Sequence, residues 1–233
     1  MTKSAVMFGA GNVGRGFLGQ LFSESGYEVV FVDVDEPLLD ALNATGSYPI
    51  HLVENERTQE VIVSPVRALH SRQVAEVSNA LVNASIAATA VGARALPYIA
   101  PLVAAGIGQR ADRGVKEPLN IIICENLKGA AALFSQMVAP QLHFSYLNYF
   151  GAHTGFVDTV IGRMVPPPTP EMRAQDPRLI AVEPYKELPV DRAAFRGAIP
   201  EIVGMQPCDN FPAYTARKLY IHNCGHAMLA YLG

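Results

Sequence analysis

The chain has 233 residues, 50% of them hydrophobic and 17% charged, long enough to bury about 70% of its unfolded surface without a disulfide or structural metal. With 18 basic and 21 acidic side chains the net charge is −3. That excludes a disordered tail, a coiled coil and a nucleic-acid-coating protein, and gives no reason to expect nucleic acid or an anionic membrane as partner.

The most apolar stretch, residues 84–93, stops at Arg94, well short of the ~20 residues that cross a bilayer. Glycines interrupt the first apolar run where a signal peptide needs a continuous core. Cys124, Cys208 and Cys224 form no CxxC pair, as expected of reduced thiols in a cytoplasmic protein.

In chain order, residues 4–8 (SAVMF) are short, apolar and followed by glycines, which predicts a buried strand. Residues 12–25 then place Val13, Phe17, Leu18, Leu21 and Phe22 at helical spacing. Gly26 ends that helix, and 27–32 (YEVVFV) reads as a second strand. A helix opening at Pro37 runs through Leu38, Leu39, Ala41 and Leu42 toward Gly46. Two β-rich runs, 50–53 and 60–63, interrupt the alternation. It resumes with a strand at 85–90, a helix at 96–105, a polar loop at 108–118, a strand at 120–124 (NIIIC) and a helix at 130–138. Repeated βα units of this length predict an α/β fold with a doubly wound parallel sheet.

Pro166, Pro167, Pro168 and Pro170 cannot sit in a helix interior or a central strand, so a rigid linker begins there. Residues 179–183 (LIAVE) suit an edge strand within irregular chain. From Pro212 helix formers return, and 214–232 reads as one helix. Its apolar residues, Leu219, Met228, Leu229 and Leu232, have little left in the chain to pack against. The division is 1–165 for the alternating α/β part, 166–211 for linker and edge strand, and 212–233 for a terminal helix.

Gly9, Gly11 and Gly14 form G-x-G-x-x-G between the first strand and the first helix. Gly9 allows the tight turn, Gly11 a close approach to pyrophosphate, and Gly14 packing of helix on strand. With Asn12 and Val13 they open a helix whose free N–H groups and dipole favour a phosphate. Asp33 lies 19 residues beyond Gly14, near the ~20 at which an acid binds the adenosine ribose. A carboxylate there accepts both ribose hydroxyls and repels a 2′-phosphate, which favours NAD over NADP. An ordinary turn beside an unrelated surface acid is the bland alternative, and Asp35 is a weaker ribose candidate.

Two later strand ends should face the same cleft. The small residues Ala90, Val91 and Gly92 let a dinucleotide approach closely. Asn126, after NIIIC and Glu125, is either a helix cap or a hydrogen-bond donor at the nicotinamide and substrate.

The terminal segment holds Lys218, Asn223 and His226. At α-helical pitch they fall within an arc of about 140°, spread over ~12 Å of axis, room for one side of a small-sugar pocket. His222 and His226 form an i, i+4 pair that could also hold a metal, although a zinc site needs a third ligand. No such ligand is evident in the sequence, so none is expected.

The K-x4-N-x2-H pattern of Lys218, Asn223 and His226 resembles the signature of the polyol-specific long-chain dehydrogenases and reductases. The stretches FGAGNVGRGF (8–17), SYPIHLV (47–53), TAVG (89–92), NIIICEN (120–126), GFVD (155–158) and GHAMLAYLG (225–233) also resemble that family, in order along nearly the whole chain. The resemblance implies a Rossmann-type domain and a metal-independent, NAD-linked interconversion of mannitol 1-phosphate and fructose 6-phosphate. It implies Lys218 as general base or acid, Asn126 and Asn223 as donors to the developing alkoxide, and His226 as the residue that orients the sugar. It also implies that 212–233 begins a mainly helical substrate domain that the chain carries in truncated form.

Two departures matter. Ile161-Gly162-Arg163 replaces a V-D-R pattern, so glycine stands where the family often has an acid, and the chain is short. A relative acting on a free polyol or a hexuronate, or a non-catalytic NAD-binding module, are the alternatives. Phosphate recognition separates the first pair, with Arg163, Lys186, Arg196 and Arg217 as the basic candidates.

Overall fold

The computed structural model describes residues 3–55 and 57–232. Strand β1 (Ser4–Phe8) is buried throughout. Ala5 and Met7 enter one apolar layer while Val6 and Phe8 enter the other, so the strand's period of two finds no solvent on either side. After it come β2 (Glu28–Asp33), β3 (Tyr48–Glu54), β4 (Arg57–Val63), β5 (Val66–His70), β6 (Ile86–Thr89), β7 (Leu119–Ile123) and β8 (Thr154–Asp158). Six of these form one parallel sheet in the order β5-β2-β1-β6-β7-β8. The winding reverses between β1 and β6, which opens a crevice at their carboxyl ends. This is the Rossmann-type topology that the alternation of elements predicts.

One face of the sheet carries the first helix and α2 (Glu36–Thr45). The first helix is π-helical over Gly14–Gly19 and α-helical in α1 (Gln20–Glu24). The opposite face carries α3 (Val74–Asn83), α4 (Leu96–Asp112) and α5 (Ala130–Val138). Helix α2 begins and ends where the sequence says it should. Asp35 caps it by accepting from the Leu38 amide at 3.2 Å, and Gly46 closes it at φ +63°. Asp35 is therefore engaged as a helix cap.

The two β-rich runs are the antiparallel hairpin β3–β4. The edge strand expected at 179–183 is β9 (Ile180–Val182), which pairs with β3 rather than with the main sheet. Beyond β8 the chain adds α7 (Pro170–Gln175), after α6 (Leu147–His153). It then adds the parallel pair β10 (Leu188–Asp191) and β11 (Met205–Cys208).

Seven elements escaped the sequence reading: β5, α3, α6, β8, α7, β10 and β11, the last three within the stretch read as linker and irregular chain. A further difference is the loop predicted at 108–118, because α4 continues into it as far as Asp112. Arg110 is the reason. It is 1% exposed, and its guanidinium donates to Leu81 O at 2.8 Å, Val82 O at 2.9 Å and Glu117 O at 2.6 Å. A residue that looks like loop polarity in the sequence caps the carbonyl end of α3.

The terminal run predicted as one helix is continuous but not uniform. It comprises α8 (Phe211–Arg217), a π-helical turn over Lys218–Asn223, and α9 (Cys224–Leu232). No helix among the described residues is long and apolar enough to cross a membrane.

Candidate active site

The glycine turn is built from backbone that has no space for side chains. Gly9 adopts φ +98° and donates its amide to Val32 O at 2.8 Å. A Cβ there would lie 2.5 Å from Ala90 O, and one on Gly14 would lie 1.9 Å from Gly9 O. Both glycines are thus required by contacts within the chain. Gly11 differs: it is exposed, and a Cβ there would meet nothing within 4 Å. No contact among the described residues therefore calls for a glycine at this position. Asn12 and Val13 follow as the first helical residues, where N–H groups lack intrahelical partners.

Asp33, at the end of β2, is half-buried beside this turn. Its Oδ2 accepts from the Ala10 amide at 2.5 Å; its Oδ1 accepts from the amides of Val34 at 2.6 Å and Asp35 at 3.2 Å. A carboxylate offers about four acceptor sites, so the backbone already occupies most of them. Asp33 thus shapes the turn.

Arg15, which sequence reasoning passed over, holds the turn from the other side. It is 4% exposed, donates from Nε to Ala10 O at 2.6 Å, and reaches the carbonyls of Pro177 and Arg178 through Nη1. Burial lowers its pKa, against the nearby Tyr48 and Asp33. An arginine directly after the glycine motif was the available signal.

Ala90, Val91 and Gly92 follow β6 at the same edge and grade from half-buried to exposed. Asn126 follows β7, is exposed, and does not cap α5, whose N-cap is Gly129. The cap alternative therefore falls away.

The second half of the candidate site is the terminal run. Lys218 is half-buried and its ammonium donates to Ile161 O, just beyond β8. Burial pushes its pKa down. It lines a cavity of about 420 Å³ together with Gly162, Glu183, Tyr185, Arg217 and His222. Its position in a π-helical turn changes the geometry expected from α-helical pitch. Hydrogen bonds of the i→i+5 kind bring residues five apart toward one face, and Lys218 and Asn223 are five apart.

Asn223 is half-buried, His226 is exposed, and neither lines that cavity; nor do Asn126 and the glycine turn. The His222 and His226 rings meet edge to face with centroids 4.5 Å apart. Burial, then Lys218 and His226, lower the His222 pKa. Among the described residues no group of three His, Cys, Asp or Glu side chains has a metal-binding arrangement.

The missing family acid has a structural counterpart. A Cβ on Gly162 would lie 2.8 Å from the Tyr185 ring, so an aromatic side chain fills the space an acid at 162 would need.

The four basic candidates separate cleanly. Arg163 is buried and committed to Glu183 O at 2.8 Å, Gly16 O at 2.9 Å and Gln20 Oε1 at 2.7 Å, with its pKa lowered to about 10 by burial. Lys186 pairs with Glu24 at 2.8 Å. The Arg196 backbone is bonded to Asn120 near the start of β7, at the amino edge of the sheet. Arg217 alone of the four lines the Lys218 cavity.

Residues 3–204 match the family model for the mannitol dehydrogenase Rossmann domain. Among solved structures, Pseudomonas fluorescens mannitol 2-dehydrogenase in a ternary complex with NAD and D-mannitol superposes with a TM-score of 0.79 at 14% identity, over 94% of this chain and 55% of that one. Octopine dehydrogenase with NADH and L-arginine gives 0.58 at 17% identity, over 94% and 46%. Apo yersinopine dehydrogenase gives 0.52 at 14%, over 82% and 41%. The likeness at these identities is one of fold, and the chain spans about half the length of the structures it matches.

Proposed function

This chain belongs to the mannitol dehydrogenase family, and from that premise we propose that it is an NAD-dependent polyol dehydrogenase of the mannitol-1-phosphate 5-dehydrogenase type. It would interconvert mannitol 1-phosphate and fructose 6-phosphate in the cytoplasm. Residues 1–165 would hold the cofactor, 166–211 link, and 212–233 begin the substrate side.

The observation that carries the chemistry is Lys218. It is a half-buried amine with a lowered pKa at a cavity wall, heading a π-helical turn that ends at Asn223. A lysine ordinarily titrates near 10.4, so burial is what makes it a usable base closer to neutrality. NAD fits the crevice: Gly11 is open to a ligand, while Gly9 and Gly14 shape the turn beneath it. Bound there, it would supply the hydride acceptor.

The chain's own residues would do the rest. Lys218 Nζ takes the proton from the hydroxyl being oxidised and returns it in reduction. Asn126 and Asn223 amides donate to the oxygen as negative charge develops on it. His226 orients the sugar. Arg217, beside the base, receives the phosphate as a charge-assisted partner.

The test is NADH consumption with fructose 6-phosphate against fructose. Turnover of the phosphate ester is expected, and Arg217→Ala should raise its KM by about tenfold, or about 1.4 kcal/mol, without changing the response to fructose. Equal use of both sugars would move the assignment to a free-polyol enzyme. A second reading is a nucleotide-binding module without turnover, favoured by Asn126, Asn223 and His226 standing outside the Lys218 cavity. NADH binding with no consumption of any sugar would select it.

A further inference from the structure

Two groups assigned above to cofactor and alkoxide, the 90–92 backbone and Asn126, leave the sheet from neighbouring strands. Glu125 joins them. Its side chain is 5% exposed; Oε2 accepts from Thr89 Oγ1 at 2.6 Å and Oε1 from the Val91 amide at 3.0 Å. Thr89 is the fully buried last residue of β6, and Val91 lies in the middle of the 90–92 segment.

The Glu125 backbone is fixed as well. Its carbonyl accepts from the Leu127 amide at 2.7 Å, closing a three-residue turn with Asn126 at the apex. Cys124 N donates to Thr89 O at 2.9 Å directly beneath. One side chain therefore sets how both strands end.

An apolar residue would keep this spot equally dry. A carboxyl group is a costly occupant, since burial pushes its pKa up against the bonds from Thr89 and Val91. What it adds is direction: a donor from the last residue of β6 and one from the segment after it converge on one group that follows β7.

We infer that Glu125 is a positioning residue of the dinucleotide site, locking the Val91–Gly92 backbone and the Asn126 turn into one register. The inference rests on the NAD-binding reading above and goes beyond it by naming the group that builds the site's floor.

NADH titration of the chain, followed by nucleotide fluorescence, tests it without needing turnover. Glu125→Ala should weaken NADH by about tenfold or more. Glu125→Gln, whose amide can still accept from Val91 and donate to Thr89, should stay within about threefold of wild type. Arg110→Met, which removes a comparable buried bond network on the far layer, should lower stability and leave NADH affinity unchanged. If Glu125→Ala fails to fold, Thr89→Val removes one of the two bonds and should weaken NADH about threefold.

With a substrate in hand, the Ala variant should raise KM for NAD far more than it lowers kcat. A folded Glu125→Ala or Thr89→Val chain with wild-type affinity overturns the inference, as does Glu125→Gln binding as poorly as Glu125→Ala. Absence of NADH binding by the wild type instead overturns the NAD reading itself, and the inference with it.

Discussion

The chain winds into a π-helical turn twice, over Gly14–Gly19 and over Lys218–Asn223, in opposite surroundings. All six residues of the first turn are buried. A Cβ on Gly16 would lie 2.6 Å from the Val165 side chain, and one on Gly19 would lie 2.2 Å from Tyr48 Oη. None of the second turn's residues is buried, and Tyr220 and Ile221 are 73% and 69% exposed. The first turn is fixed by packing from every side. The second touches the Rossmann part through Lys218 and the cavity it lines. The same backbone irregularity is therefore packed solid in one place and sets a half-buried lysine at a cavity wall in the other.

The largest expected effect tests that division at Lys218. Lys218→Ala should lower polyol oxidation by about two to four orders of magnitude, the range for losing a positioned general base, with NADH binding unchanged. The neutral amine is the active form, so the wild-type rate should rise with pH. Because burial lowers the lysine's pKa, the midpoint of that rise should lie below that of a free lysine, and the limb should vanish in the variant. Retention of more than about a tenth of the wild-type rate would make Lys218 a binding residue and His226 the next proton-transfer group to test.

Gly14→Ala strikes the packed turn instead. A methyl 1.9 Å from Gly9 O forces helix and strand apart, an overpacking cost of about 3 kcal/mol. Urea denaturation should show it together with a loss of NADH affinity. An unchanged denaturation midpoint would mean that the turn is not held as tightly as its contacts indicate.

Asp33→Ala should narrow the preference for NAD over NADP from at least about tenfold, or about 1.4 kcal/mol, toward equality in paired titrations. It should also weaken both cofactors together, because the Ala10 amide loses its acceptor. A variant that keeps full NAD preference would remove Asp33 from ribose recognition and leave it as a turn residue.

The smallest effect sharpens the contrast from the exposed side. Gly225 lies in α9, and a Cβ there would meet nothing within 4 Å. Gly225→Ala should stabilise the helix by about 0.5–1 kcal/mol, the opposite sign to Gly14→Ala. Destabilisation, read by the same urea titration, would show that this face is in contact with something after all.

The legibility of the two regions differs in the same way. The glycine turn could be read because most of its requirements are local: Gly14 is demanded by the Gly9 carbonyl five residues away, and Asp33 ends the next strand, although the contact that demands Gly9 comes from distant Ala90. Lys218 could be picked out by its motif, but its surroundings could not. Ile161, Glu183 and Tyr185 are far from it in sequence, and the space that Tyr185 takes beside Gly162 has no trace in spacing. Residues with long-range roles were misread for the same reason. Arg110 looked like loop polarity and Arg163 like a phosphate ligand, yet both guanidiniums are spent on oxygens of other elements, mostly backbone carbonyls.

By itself the sequence determined the alternation of strands and helices, the parallel doubly wound sheet, and the identity and order of the dinucleotide motif, because hydrophobic period and glycine spacing act over a few residues. It also determined which side chains were capable of acid–base chemistry. The tertiary structure alone decided which of them are committed. It buried Glu125 between β6 and β7, tied Arg15 and Arg163 to backbone, left Arg217 at the cavity, and tightened Lys218 and Asn223 onto one face through a π-helical turn. Those outcomes depend on desolvation and on hydrogen-bond partners brought together from distant segments, and neither is written in any local run of residues.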